Sequence, residues 1–105
     1  GGGAGVATLV GATVLIAPVF EELVFRGFLL TSLTKWLPTP AAVGLSAVAF
    51  ALVHQQSSGD TVQLFGLGVV AGLAYCRTRN LATPMLIHAL FNGGVLFLFL
   101  LWTST

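Results

Sequence analysis

Long apolar runs separated by short breaks dominate the hydrophobic pattern of this chain. A first run covers about residues 4–17 and meets Pro18, and a second apolar stretch covers about residues 18–36. The first run is shorter than the roughly 20 residues that cross a bilayer as a helix. It is therefore either cut short or continuous with the second stretch. The two prolines in segment 37–40 predict the end of this helical region.

Polar residues divide the remainder of the chain into three more apolar stretches. The separators are a polar turn at residues 55–60 and a polar link at 77–80. Within one stretch, Gly66, Gly68 and Gly72 are spaced as in helices that pack closely. We therefore expect four or five helices in all, the last three over about residues 41–55, 61–75 and 81–102.

Composition places these helices in a membrane. The 105 residues are 56% hydrophobic and 7% charged, with a mean hydropathy of +0.99. Soluble domains are about 25% charged, and a small soluble core cannot cover so much apolar surface. We predict an all-α fold, a polytopic membrane helical bundle with lipid as a partner. The net charge of +1, without a basic run, argues against binding to nucleic acid.

The chain is interpreted as one domain over residues 1–105, since it contains no internal repeat and no change in composition. It opens inside a Gly-rich apolar run, so we expect further N-terminal helices and interpret the chain as part of a larger membrane protein. Lys35, Arg77 and Arg79 flank two turns that alternating topology puts on one side of the membrane. The positive-inside rule predicts that this side is cytoplasmic or its equivalent.

Three of the seven charged residues fall within six positions of one apolar stretch: Glu21, Glu22 and Arg26. Ionisable groups at membrane depth are costly and indicate a functional site. Glu22 and Arg26 are four residues apart on one helix face and are expected to pair. Glu21 lies about 100° around the helix, where Arg26 is badly placed to reach it. Glu21 is therefore the candidate general base.

His54, His88 and Asn92 are further candidates in apolar surroundings. His88 and Asn92 are also four residues apart, and an imidazole beside a carboxamide is suited to holding an oxyanion. At about 1.5 Å per residue from the basic side, Glu21, His54 and Asn92 lie about 24, 25 and 18 Å deep, but His88 only about 12 Å. Convergence requires a tilt, a kink or a later helix start. A single buried histidine is more often structural than catalytic, so the interpretation depends on this convergence.

The spacing of these residues resembles three motifs of the CPBP intramembrane proteases, also called the ABI or type II CAAX prenyl endopeptidase family. The resemblance covers about residues 14–101, the catalytic core of that family without its N-terminal helices. The motifs occur in family order as Glu21-Glu22-x-x-x-Arg26, Phe50-x-x-x-His54 and His88-x-x-x-Asn92.

The resemblance implies an intramembrane endopeptidase acting on a membrane-associated or prenylated protein. Cleavage near the C-terminus of CaaX-type proteins is one form of this expectation. Glu21 and His54 would activate water, and His88 and Asn92 would stabilise the oxyanion. Structural support of the site is expected from Glu22, Arg26 and Phe50, whose apolar ring would also shield the site from water.

Several alternatives stay open at this point. No His-Glu-x-x-His sequence is present, and a Glu/His mechanism needs no metal, so no cofactor is expected. Zinc bound by Glu21, His54 and His88 is the alternative. A non-proteolytic scaffold or a bacteriocin self-immunity protein would share the fold, whereas a transporter is disfavoured because no pair of broken helices is evident. The sequence of residues 77–81 resembles that of chloroplast and cyanobacterial members of the family.

Overall fold

Four helices account for nearly all of the chain that the structure describes. The structure is a computed structural model that describes residues 2–58 and 61–104. Within those residues there is no strand, so the predicted all-α bundle is confirmed. Of the four or five helices expected, four are present in these residues. The helices are α1 (Gly2–Leu33), α2 (Thr39–Ser58), α3 (Thr61–Thr78) and α4 (Ala82–Ser104).

Helix α1 joins the first two predicted apolar stretches into one continuous element. Pro18 does not break it, because the preceding segment Gly11–Ile16 is π-helical and there the N–H of Ala17 reaches back five residues to the carbonyl of Ala12. A second π-helical segment, Leu23–Leu30, follows the two glutamates. Such segments are rare and often mark functional sites. The helix ends at Leu33, three residues earlier than predicted.

The other helices run slightly beyond the predicted C-terminal limits. Helix α2 reaches Ser58 instead of residue 55, and α3 reaches Thr78 instead of residue 75. Polar side chains do not end a helix by themselves; a change in backbone conformation does. Arg79 provides that change after α3, with a φ of 54° and its N–H bonded to the carbonyl of Tyr75 at 2.7 Å. The rest of the predicted turn, residues 59 and 60, lies outside the described residues.

Helices α2 and α3 pack closely through two of the three expected glycines. A Cβ on Gly68 would lie 3.0 Å from the Cα of Ala47, and one on Gly72 would lie 3.2 Å from a methyl of Val43. Their predicted packing role is confirmed, because a larger residue would separate the helices. The prediction is wrong for Gly66, which faces open space.

A small apolar core lies where the four helices meet. Phe25, Phe50, Ala51, Leu64 and Leu67 form its main buried cluster. Two of its members, Phe25 and Phe50, also lie beside the ring of His54.

Large apolar side chains also cover the outside of the bundle. Phe28, Val53 and Leu90 are 69%, 68% and 67% exposed. Helices α1 and α4, with 32 and 23 residues, are long and apolar enough to cross a membrane. Exposed apolar surface on this scale is characteristic of a surface that contacts lipid or another protein.

Candidate active site

Glu22 and Arg26 form a fully buried ion pair inside the bundle. Arg26 Nη1 donates to Glu22 Oε2 at 3.3 Å, and Arg26 Nε lies 3.3 Å from Glu22 Oε1. The second contact lacks hydrogen-bond alignment, so it is a Coulombic contact only. Arg26 Nη2 donates to the carbonyl of Gly68 at 2.7 Å, which ties α1 to α3. The i,i+4 spacing thus brings the two charges together, with a backbone partner from another helix.

Glu21 points away from this pair and lies between two histidines. Its Oε2 is 3.0 Å from Nε2 of His54 on α2, and its Oε1 is 3.1 Å from Nε2 of His88 on α4. The Glu21 side chain is 29% exposed, whereas the Glu22 side chain is completely buried. Adjacent glutamates therefore occupy different environments because successive helical residues point about 100° apart.

The hydrogen-bond partners define which contacts hold protons. His54 Nδ1 lies 2.7 Å from the carbonyl oxygen of Phe50, which can only accept, so Nδ1 carries a hydrogen. His54 Nε2 faces a carboxylate oxygen, and so does each ring nitrogen of His88. A nitrogen lone pair facing a carboxylate would be repulsive, so each of these contacts is favourable when the ring nitrogen carries a hydrogen. Charge-assisted contacts thus connect five side chains in a row, which we call the Glu–His network: Arg26, Glu22, His88, Glu21 and His54.

Phe50 lies at the centre of the Glu–His network and contacts several of its members. Its ring is fully buried and lies 4.3 Å from the His54 ring and 5.4 Å from the His88 ring. The Arg26 guanidinium carbon lies 5.0 Å from the ring centroid, within cation–π range. Phe25 packs edge-on against Phe50 at 5.2 Å and approaches His54 at 5.9 Å. Phe25 was missed by the sequence motifs, although it lies between Glu22 and Arg26.

Asn92 binds the backbone of α1. Its Nδ2 donates to the carbonyl of Thr13 at 3.0 Å. In an α-helix that carbonyl would accept from Ala17, but the Ala17 N–H binds Ala12. In a π-helix it would accept from residue 18, a proline without an N–H. The proline five residues after Thr13 was the available signal. Asn92 keeps a second amide hydrogen for another acceptor.

One cavity of about 600 Å³ connects these groups. Glu21, His54, His88 and Asn92 all line it. Its lining also includes a group of apolar side chains from α1 and α4, which we term the apolar arm: Leu9, Val95, Leu96 and Phe99. A separate cavity of about 330 Å³ between α2 and α3 is lined without any ionisable side chain. The larger cavity is therefore the candidate active site.

The candidate zinc ligands His54 and His88 both contact the third candidate, Glu21. Zinc would require the histidine nitrogens and a carboxylate oxygen about 2.0–2.2 Å from one shared ion. In the part of the chain that the structure describes, no three His, Cys, Asp or Glu side chains are arranged to hold a metal. The Nε2 atoms of His54 and His88 instead contact separate oxygens of Glu21.

Comparison with known proteins identifies the family. The model of the type II CAAX prenyl endopeptidase Rce1-like family matches residues 3–94. The chain belongs to this family. The resemblance expected from the three motifs is thereby confirmed, and the chain is a membrane protein.

The chain is also similar to named bacterial proteins. The chain is 37% identical over 93 residues to the membrane-embedded CAAX protease MroQ of Staphylococcus aureus (strain USA300), covering 83% of this chain and 37% of the relative. It is 29% identical over 84 residues to the UPF0177 protein YbdI of Lactococcus lactis subsp. lactis (strain IL1403), covering 79% and 44%. The chain thus spans less than half the length of these curated relatives. No solved structure matches it.

Proposed function

We propose that the protein is an intramembrane endopeptidase that hydrolyses peptide bonds at the Glu21 end of the cavity. The observation that carries this proposal is the Glu21 carboxylate, held at 3.0 and 3.1 Å by two histidine nitrogens beside a cavity of about 600 Å³. A general base, proton carriers and room for a peptide are the minimum that amide hydrolysis requires.

In the proposed reaction, Glu21 and His54 activate a water molecule. Their direct contact at 3.0 Å is too short to contain a bridging water, which would need about 5.5 Å. Water therefore enters from the cavity side and replaces this contact. As its oxygen attacks the scissile carbonyl carbon, one of its protons passes to the base.

The tetrahedral intermediate then carries a negative oxygen that needs donors. His88 Nε2–H and the second amide hydrogen of Asn92 are the proposed donors, since both side chains line the same cavity. The carbon–nitrogen bond breaks as the stored proton passes to the leaving amine. This route uses the chain's own residues, and we propose that no metal takes part.

The proposed substrate is a membrane-associated or prenylated protein cut near its C-terminus. The similarity to MroQ, a membrane-embedded CAAX protease, and the apolar arm of the cavity both support a substrate with an apolar part. We further propose multi-pass insertion, with the basic residues at the α1–α2 and α3–α4 links on one side. We also propose that this membrane is photosynthetic. The only basis is that the sequence of residues 77–81 resembles chloroplast and cyanobacterial members of the family.

Cleavage by the full-length protein in detergent tests this proposal. Farnesylated CaaX peptides and a panel of membrane-protein segments would be offered to the wild type, Glu21→Ala and His54→Ala. Phe20→Ala is the matched control, because Phe20 precedes Glu21 but is 65% exposed on the outside of α1. We expect cleavage by the wild type and the control only. Cleavage by all four proteins contradicts the site assignment, and cleavage by none favours the scaffold alternative.

A further inference from the structure

Glu22 has a second partner that its pairing with Arg26 does not explain. Its Oε2 lies 2.8 Å from Nδ1 of His88, across 66 residues of sequence and between α1 and α4. The side chains are 0% and 3% exposed, so water does not compete for this contact. It is shorter than either contact between Glu22 and Arg26.

The chemistry of this contact fixes the ring of His88. An ionised carboxylate only accepts, so His88 Nδ1 is the donor and carries a hydrogen. With Nδ1 held by Glu22, the opposite nitrogen Nε2 must point towards Glu21 and the cavity, where it lies 3.1 Å from Oε1. A carboxylate on one imidazole nitrogen sets the tautomer and orientation of the other.

Arg26 in turn holds the Glu22 carboxylate in place. The Arg26 guanidinium binds Glu22 and the Gly68 carbonyl, and Phe50 packs against both Arg26 and the His88 ring. Arg26 places a positive charge beside the buried Glu22 carboxylate, and a charged carboxylate is a stronger acceptor for Nδ1–H than a neutral group. The pair is therefore arranged to present one negative oxygen to His88.

We propose that Glu22 is the positioning residue of His88, in addition to stabilising α1 with Arg26. This inference rests on the proposed function for its catalytic meaning. The negative charge of Glu22 allows His88 to carry hydrogens on both nitrogens, so that Nε2–H remains a donor to the oxyanion while Nδ1–H is bound. Adjacent glutamates then serve one reaction, Glu21 as base and Glu22 through the histidine.

Histidine NMR tests the positioning without any substrate. The full-length protein, labelled with ¹⁵N-histidine in detergent, gives His88 signals that are retained in His54→Gln and absent from His88→Gln. We expect a protonated Nδ1 whose hydrogen exchanges slowly with water in the wild type. An unprotonated or rapidly exchanging Nδ1 in the wild type overturns the proposal, and this measurement requires no Glu22 variant to fold.

Two matched variants separate positioning from structural support. Glu22→Gln keeps the size of the side chain but removes the charge, whereas Arg26→Lys keeps both charges and loses the guanidinium fork. We expect the Nδ1 signal to shift and lose protection in E22Q and to persist in R26K. In the folded fraction we expect kcat to fall about 10- to 100-fold in E22Q, the usual effect of losing an outer partner of a functional histidine.

The outcomes distinguish this inference from the proposed function. Unchanged Nδ1 signals and unchanged kcat in folded E22Q overturn the positioning role. If the wild type cleaves none of the peptides, the proposed function fails, while the Nδ1 measurement still decides whether Glu22 holds His88. Equal loss of kcat in E22Q and R26K, with Nδ1 unaltered in both, reduces Glu22 to a structural partner of Arg26.

Discussion

Asn92 on α4 donates a hydrogen bond to the backbone carbonyl of Thr13 on α1, at a distance of 3.0 Å. That carbonyl lacks a helical donor because Pro18 has no N–H and the Ala17 N–H binds elsewhere. One side chain therefore completes the hydrogen bonding of another helix at the edge of the candidate active-site cavity. The same contact holds the Asn92 carboxamide in the cavity wall.

This relationship predicts a coupling between Asn92 and Pro18. Asn92→Leu should lower stability by about 1–3 kcal/mol, because it leaves a partly buried carbonyl without a donor. In a Pro18→Ala background the loss should be smaller, since residue 18 then supplies an N–H within α1. Thermal unfolding of the wild type, both single variants and the double variant in detergent measures the coupling. Strictly additive effects would contradict the contact.

Gly68 and Gly66 form a matched pair for testing helix packing. Gly68→Ala places a Cβ 3.0 Å from the Cα and Cβ of Ala47, where the backbone must move. We expect a loss of about 1–3 kcal/mol, the usual cost of overpacking. The same substitution at Gly66 meets open space and should be neutral or stabilising by up to about 1 kcal/mol, through helix propensity.

Melting temperatures of the two glycine variants provide the measurement. Gly68 also offers its carbonyl to Arg26 at 2.7 Å, so Gly68→Ala should lower peptide cleavage as well as stability. Equal melting temperatures for the two variants would show that α2 and α3 are less closely packed than the structure indicates.

Chelation distinguishes the metal-free route from its zinc alternative. His54 and His88 each contact Glu21 directly, and the described residues contain no group of three His, Cys, Asp or Glu side chains arranged to hold a metal ion. We therefore expect cleavage to be unchanged after prolonged dialysis against a chelator. If the chelator abolishes cleavage and added Zn²⁺ restores it, the metal-free route is wrong. His54 and His88 would then have to rearrange around a metal.

Side-chain spacing predicted much of the site because it follows from helix geometry alone. The four-residue separation of Glu22 and Arg26 predicted their contact, and the 100° rotation of Glu21 predicted its different surroundings. The motif spacing also indicated that His54 and His88 belong with Glu21.

Other features of the site could not be obtained in this way. Counting residues from a common plane placed His88 too shallow, because the ends of tilted or displaced helices need not share one plane. The contact between Glu22 and His88 joins residues 66 positions apart and depends on how α1 packs against α4. The Thr13 carbonyl belongs to the backbone, and its availability depends on a π-helical register that side-chain patterns do not reveal.

The central claim is that the Glu21 carboxylate is the general base of peptide-bond hydrolysis. The most direct measurement is kcat for a cleaved peptide in Glu21→Gln, compared with the wild type at equal amounts of folded protein. Glutamine keeps the size of the side chain and an acceptor oxygen, but it cannot take a proton from water. We predict a fall of about 10²- to 10⁴-fold, the usual contribution of a general base. Wild-type kcat in the folded variant would contradict the account.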